Sequence, residues 1–501
     1  MKIRTLLASF IAMSVAGVQH AQAEIRLPNI FSDHMVLQQG QENNIWGKGD
    51  AGETVTISIA GKTVTTKADD KGEWTAKLPV LSLGAPLTLK VSGSSTVELK
   101  DVLVGEVWIC SGQSNMQWSI NSSTDADLEK LASKFNGIRM INFPQIGTQE
   151  AIWSHDDRKW QVSSPETVGG FSAVGYFFAR QIHQTTGIPV GMINNAWGGS
   201  SCESWIDRKI VGTDFPKLLE RWEGLEKQVE ALEAKQDRSE EENKNLANLR
   251  NQMRGNARPG NIYNGVLASH VGYGIRGAIW YQGESNAGRA YQYRELFPRM
   301  IKNWREIWGQ GEFPFYWVQL ADFMNENAEP VDSEWAELRE AQTIAMDKVP
   351  KSGQAVIIDI GEGKDIHPMN KEDVGKRLAR WALANEYGID VAHQSPRYDS
   401  IEKADGKLIV KFNHVGGGWR PFDVNEVRGF TIAGEDKKFY NATAKILPDK
   451  RIEVSSPEVP NPVAVRYAWA NNPICNLFSS NGLPTTPFRS DDWQGLTAGR
   501  E

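Results

Sequence analysis

The stretch VGEVWICSGQSNMQW, Val104 to Trp118, is an apolar run that breaks abruptly into small and amide-bearing residues. A short, nearly continuous apolar run of this kind suits a strand buried on both faces, as in a parallel sheet covered by helices. The polar residues after it then fall at the carboxyl end of the strand, where open parallel sheets bind ligands. Ser114 in that turn reads in two ways, as a favoured helix N-cap or as a nucleophile.

Working outward, further apolar runs occur at Val190 to Asn194, Gly277 to Tyr281, Phe315 to Leu320 and Ala355 to Ile358. Amphipathic segments at 172–185, 291–308, 334–349 and 370–387 lie between or after them. Alternating buried strands and helices predict an α/β/α doubly wound parallel sheet over residues 104–393. Residues 24–103 and 394–501 instead alternate with period two between turn residues, as in Val55, Ile57, Ile59 and Leu408, Val410, Phe412, which predicts a β-sandwich-like domain on each side. A charged helical hairpin interrupts the core at about 214–257; Leu218, Trp222, Leu225, Val229 and Leu232 form its seam, and Ser239 with Glu242 offers a capping box. Its role, as a surface excursion or a partner-binding arm, stays open.

Residues 1–23 carry Lys2 and Arg4, an apolar stretch from Leu6 to Val18, and Ala21-Gln22-Ala23. That is the pattern of a secretory signal cleaved after Ala23, and the stretch is shorter than the ~20 residues of a membrane span. The expected location is therefore periplasmic or secreted, with no integral membrane segment after cleavage. Loss of the two basic residues takes the formal charge from −7 to −9, which argues against nucleic acid or an anionic membrane surface as partner. The 501 residues are 40% hydrophobic and 23% charged, as in a soluble protein of several domains. The three cysteines allow one disulfide at most; Cys110 reads as a packing residue, and a Cys202–Cys475 pair stays open. No Cys/His cluster has zinc spacing, so no metal is expected.

Two more polar clusters follow apolar runs: Asn194-Asn-Ala-Trp-Gly-Gly-Ser200 and Gln282-Gly-Glu-Ser-Asn286. Their recurrence at strand ends shifts Ser114 from cap towards nucleophile, which needs a base within reach. His367 is the candidate, in Gly363-Lys-Asp-Ile-His-Pro368 just before a helix that Asn370 could cap. Asp365, two residues earlier, projects to the same side of an extended segment, and the nearby helix N-terminus favours a neutral imidazole.

The set Ser111-Gly-Gln-Ser-Asn-Met116, Trp197-Gly-Gly-Ser200, Trp280-Tyr-Gln-Gly-Glu-Ser-Asn286 and Asp365-Ile-His-Pro368 resembles the sialate O-acetylesterase family, a branch of the SGNH hydrolases. Phe31 to Gln38, Val465 to Trp469 and Gly482 to Phe488 extend the likeness to both ends of the mature chain. The resemblance implies an SGNH-type core that hydrolyses acetyl esters of carbohydrates without a cofactor. Carried over by position, Ser114 is the nucleophile, His367 the base and then acid, and Asp365 its orienting group. The oxyanion donors are the N–H groups of Ser114 and Gly199 and an amide, Gln282 or Asn286, with Gln282 favoured. Gln113, Trp197 and Arg289 are the candidate substrate contacts, with Arg289 open between pairing with a sialate carboxylate and capping a surface turn. The third block departs from the usual Gly-x-Asn-Asp, and Lys364 stands where an Asp three before the His is usual, so beside Asp365 as nearest orienter a distant alternative, Asp359, or a backbone carbonyl stays open. Acetylated sialic acid and acetylated xylan or related plant glycans are both open as substrates. A lipase or thioesterase of the same superfamily and an inert glycan-binding protein are the other readings; the oligomeric state is not legible.

Overall fold

The computed structural model describes residues 24–501; the expected signal at 1–23 lies outside the described residues. The central sheet is built from β1 (Thr96–Gly112), β2 (Phe135–Asn142), β3 (Gln161–Ser163), β4 (Val190–Asn194), β5 (Gly277–Tyr281), β6 (Phe315–Val318) and β7 (Ser352–Ala355), in the order β7-β6-β5-β1-β4-β2-β3. All neighbours are parallel except β2 and β3. Successive residues of a strand enter different cores, as the pleat requires. Ile109, Ile193 and Trp280 face one core with Leu296 and Leu338; Cys110, Met192 and Ile279 face the other with Val174 and Leu378. Helices α2 (Ala173–Thr186) and α5 (Lys371–Asn385) therefore cover one face of the sheet, and α3 (Ala290–Trp308) and α4 (Glu334–Lys348) the other.

The limits of β4 and β5 fall where the apolar runs place them; two other features differ. Of the last run only Ala355 is strand, at the end of β7, whose other residues precede the run; Val356 and Ile358 are apolar for another reason: they pack into the C-terminal β core with Leu408, Val454 and Val465. At the other end, β1 is a single 17-residue strand, so no linker separates residues 103 and 104. Its first half pairs with Leu87–Ser92 and, at Leu103 to Gly105, with Val36–Gln38, which makes the N-terminal β region continuous with the central sheet. The C-terminal region contains two four-stranded sheets around one core.

The hairpin is present as helices Lys217–Glu233 and Glu240–Met253, and the second has the capping box, Ser239 accepting from the Glu242 N–H while Glu242 reaches back. A cap of this kind is worth about 1 kcal/mol. All three cysteines are free thiols, with Cys110 and Cys202 buried.

Candidate active site

The carboxyl ends of β1, β2 and β4 open into a cleft of about 450 Å³ whose lining includes Ser114, Trp118, Asn142, Phe143, Asn194 and His367. Strand β1 ends at Gly112 with φ +129°, and a Cβ there would lie 2.2 Å from the Tyr281 carbonyl oxygen. Only glycine lets the ends of β1 and β5 come so close. The chain then turns into the short helix α1 (Ser114–Gln117), whose N-cap is Gln113, with no side-chain cap bond. Ser114 is thus the first helical residue and not the cap; its hydroxyl is left to a partner outside the helix. That partner is Nε2 of His367, 2.8 Å from Ser114 Oγ across 253 residues of sequence. Ser172, the N-cap of α2, donates to the Met116 carbonyl and holds the turn from behind.

His367 precedes α5, which is capped as expected by the Asn370 side chain accepting from the Asp373 N–H. Its imidazole stacks on Trp118, with ring centres 4.8 Å apart and planes 12° apart. Its Nδ1 lies 3.5 Å from Asp365 Oδ1, beyond good hydrogen-bond length, and the same oxygen accepts the His367 backbone N–H at 2.9 Å. The Asp365 side chain is 52% exposed, so water competes for it. The alternative orienter, Asp359, is committed to Arg377 through both carboxylate oxygens. Burial, then the Lys371 ammonium, lower the His367 pKa below the usual 6.5, against the opposing pull of Asp365.

A base must be unprotonated to accept the serine proton. Activity therefore persists above the folded-state pKa and fails as pH falls through it. The acid limb of kcat/KM is expected below pH 6.5, the ordinary value for His367. A pH–rate profile with its acid midpoint at about 7 or above would contradict this.

The second loop backs directly onto the serine. A Cβ on Gly198 would sit 3.3 Å from Ser114 Cβ, and the Gly198 N–H donates to Gln117 Oε1. Gly199 is left-handed, φ +70°, and its N–H meets no acceptor among the described residues.

The amides expected to line the oxyanion site are committed elsewhere. Gln282 is fully buried; both Nε2 hydrogens have acceptors, the Ser200 carbonyl and Asn286 Oδ1, and its Oε1 accepts from Tyr293. Asn286 in turn donates to Glu203 and accepts from the Cys202 N–H. The pair braces the second loop against the third. None of the three residues expected at the substrate lines the cleft. Gln113 is buried and its Oε1 accepts from the N–H groups of Gly283 and Ser285. Trp197 packs on the core. Arg289 pairs with Glu203 at 2.7 Å and also donates to Gln292, which consumes the charge meant for a carboxylate.

Sequence reasoning missed Asn142, Phe143 and Gln145, which line the cleft at the end of β2. The rule that located the other loops would have found them had Phe135–Asn142 been read as a strand.

Residues 104–256 and 257–383 match the family model described as carbohydrate esterase, sialic acid-specific acetylesterase. The sialate O-acetylesterase of Mus musculus is 27% identical over 515 residues, covering 92% of this chain and 94% of that relative. The sialate O-acetylesterase of Homo sapiens is 25% identical over 521 residues, covering 92% of each chain. Among solved structures, a carbohydrate acetylesterase from Xanthomonas citri superposes with a TM-score of 0.82 at 35% identity, over 94% of this chain and 100% of that one.

Proposed function

Since this chain belongs to the sialic acid-specific acetylesterase family of carbohydrate esterases, and is thus a carboxylic ester hydrolase, we propose that it removes O-acetyl groups from carbohydrates through Ser114 and His367. The observation that carries this reading is the 2.8 Å contact between Ser114 Oγ and His367 Nε2 at the cleft. Ser114 Oγ attacks the acetyl carbon while its proton passes to Nε2. The carbonyl oxygen gains charge, and the N–H groups of Ser114 and Gly199 stabilise it without reorganising. Collapse expels the sugar oxygen, which takes the proton from Nε2 and leaves an acetyl-serine. Water, deprotonated by the same imidazole, then attacks the acetyl carbon; the bond to Ser114 Oγ breaks, Oγ takes the proton back from Nε2, and acetate leaves. Asp365, 3.5 Å from Nδ1 and half exposed, gives the imidazole only weak orienting support.

In this reading the core is SGNH-type, flanked by β domains at 24–103 and 394–501. Residues 1–23 direct export to the periplasm or beyond. Among the described residues, no helix is long and apolar enough to cross a membrane.

One observation favours an acetylated neutral glycan, such as acetyl-xylan, over a sialoside. The cleft lining contains amides and aromatic rings but no Lys or Arg, and Arg289 is tied to Glu203. A sialate carboxylate taken from water without a cation loses charge-assisted hydrogen bonds that nothing replaces. Acetate release from acetyl-xylan and from a 9-O-acetylated sialoside is the test. The expected kcat/KM is higher on the neutral glycan by about tenfold or more; a preference for the sialoside overturns the neutral reading and leaves the esterase assignment standing.

A further inference from the structure

Asn115 follows Ser114, is 2% exposed, and joins three other segments through its side chain. Its Nδ2 donates to the Ile366 carbonyl at 2.9 Å and to Glu284 Oε1 at 2.7 Å, while its Oδ1 accepts from Lys371 Nζ at 2.6 Å. Ile366 immediately precedes His367, Glu284 belongs to the third loop, and Lys371 opens α5. One amide thus ties the turn bearing the serine to the loop bearing the histidine.

Lys371 is fully buried, which is unusual for a lysine. Its Nζ lies 5.8 Å from the ring centre of Trp118 and 5.5 Å from that of Tyr281. Trp118 is the ring stacked on His367. The carboxylates that act on Lys371 are Glu284, Glu362 and Asp365; the charges that act on His367 are the Lys371 ammonium and the Asp365 carboxylate. Burial pulls the Lys371 pKa down to about 7 and pushes that of Glu284 up. Glu284 Oε2 is buried with no hydrogen-bond partner among the described residues. A packing role alone would be met by apolar residues at lower desolvation cost.

We propose that Asn115, Lys371 and Glu284 are positioning residues for the esterase reaction: Asn115 clamps the His367 loop to the Ser114 turn, Glu284 and Lys371 fix the orientation of that amide, and the Lys371 ammonium, beside the Trp118 ring that stacks on His367, disfavours a second positive charge on the imidazole. The inference rests on Ser114 and His367 being the catalytic pair.

The test measures kcat, KM and their pH dependence on an aryl acetate, with the full mature chain, for the wild type, Ser114→Ala, Lys371→Gln and Asn115→Asp. Lys371→Gln retains a donor near Asn115 but deletes the charge, so the acid limb of kcat/KM is expected to move up by about half a pH unit or more. Asn115→Asp keeps the shape but loses both donors, so kcat is expected to fall about 10²-fold with KM little changed. Thermal unfolding checks that each variant is folded, and Lys371→Met reads the same charge if the glutamine variant is not. A folded Lys371 variant with the wild-type acid limb overturns the role of the charge. An Asn115→Asp enzyme with wild-type kcat overturns the clamp. Activity retained by Ser114→Ala instead sinks the catalytic pair itself, whereas a dead Ser114→Ala beside wild-type behaviour in the other variants sinks this inference alone.

Discussion

Ser114→Ala is expected to lower kcat on an aryl acetate by about 10⁴-fold or more, with KM and thermal stability close to wild type. The hydroxyl touches the imidazole and stands free of its own helix, since the N-cap position belongs to Gln113 and carries no side-chain cap bond. Removing one oxygen from a partly exposed residue deletes no cap and leaves no large void, so a loss of rate cannot be traced to unfolding. The residual rate would come from the backbone N–H groups of Ser114 and Gly199, which the substitution leaves in place. Labelling by a serine-directed organophosphonate gives an independent reading: wild type should be modified at Ser114, and the alanine variant should not react. Wild-type turnover in the alanine variant would remove the basis of the proposed mechanism.

His367→Ala is expected to match the serine variant to within about tenfold, and the double variant to be no worse than either, because two groups that act as one unit lose their effect together. Asp365→Asn should behave very differently. A buried Asp that accepts from the imidazole is worth about 10⁴ in kcat in the Ser-His-Asp arrangement. Here the carboxylate is 52% exposed, 3.5 Å from Nδ1, and already engaged by a backbone N–H. Its loss should therefore cost less than about tenfold, exposed charge pairs being worth little. Steady-state kinetics on the same ester separates the outcomes: a drop of several thousandfold in Asp365→Asn would mean that the loop closes onto the imidazole during turnover.

Much of the scaffold was legible because burial imposes a period on side chains. Val190 to Asn194 and Gly277 to Tyr281 read as strands to the residue, since every position is buried and apolar or small up to the polar break. Strand β2 was not legible because Asn136 and Gly137 interrupt its start. Arg139, which is 3% exposed, also puts a charge where the pattern calls for an apolar residue. That charge is neutralised by Asp101, 38 residues away, which no local window contains, while its Nε donates to the nearby Asn136 carbonyl. The last apolar run misled for a related reason: Val356 and Ile358 are apolar on account of a β core from another part of the chain.

Composition and motif spacing by themselves determined the α/β core, the strand ends at which chemistry gathers, and the candidates Ser114 and His367, because those follow from local periodicity and residue type. Tertiary packing alone decided what each polar group touches. It spent the Gln282 and Asn286 amides on bracing one loop against another, tied Arg289 to Glu203, left Asp365 at the surface, and placed Lys371 and Glu284 about Asn115. A hydrogen bond is set by ångström-scale distance between atoms that lie far apart in sequence, and only the packed core defines that distance.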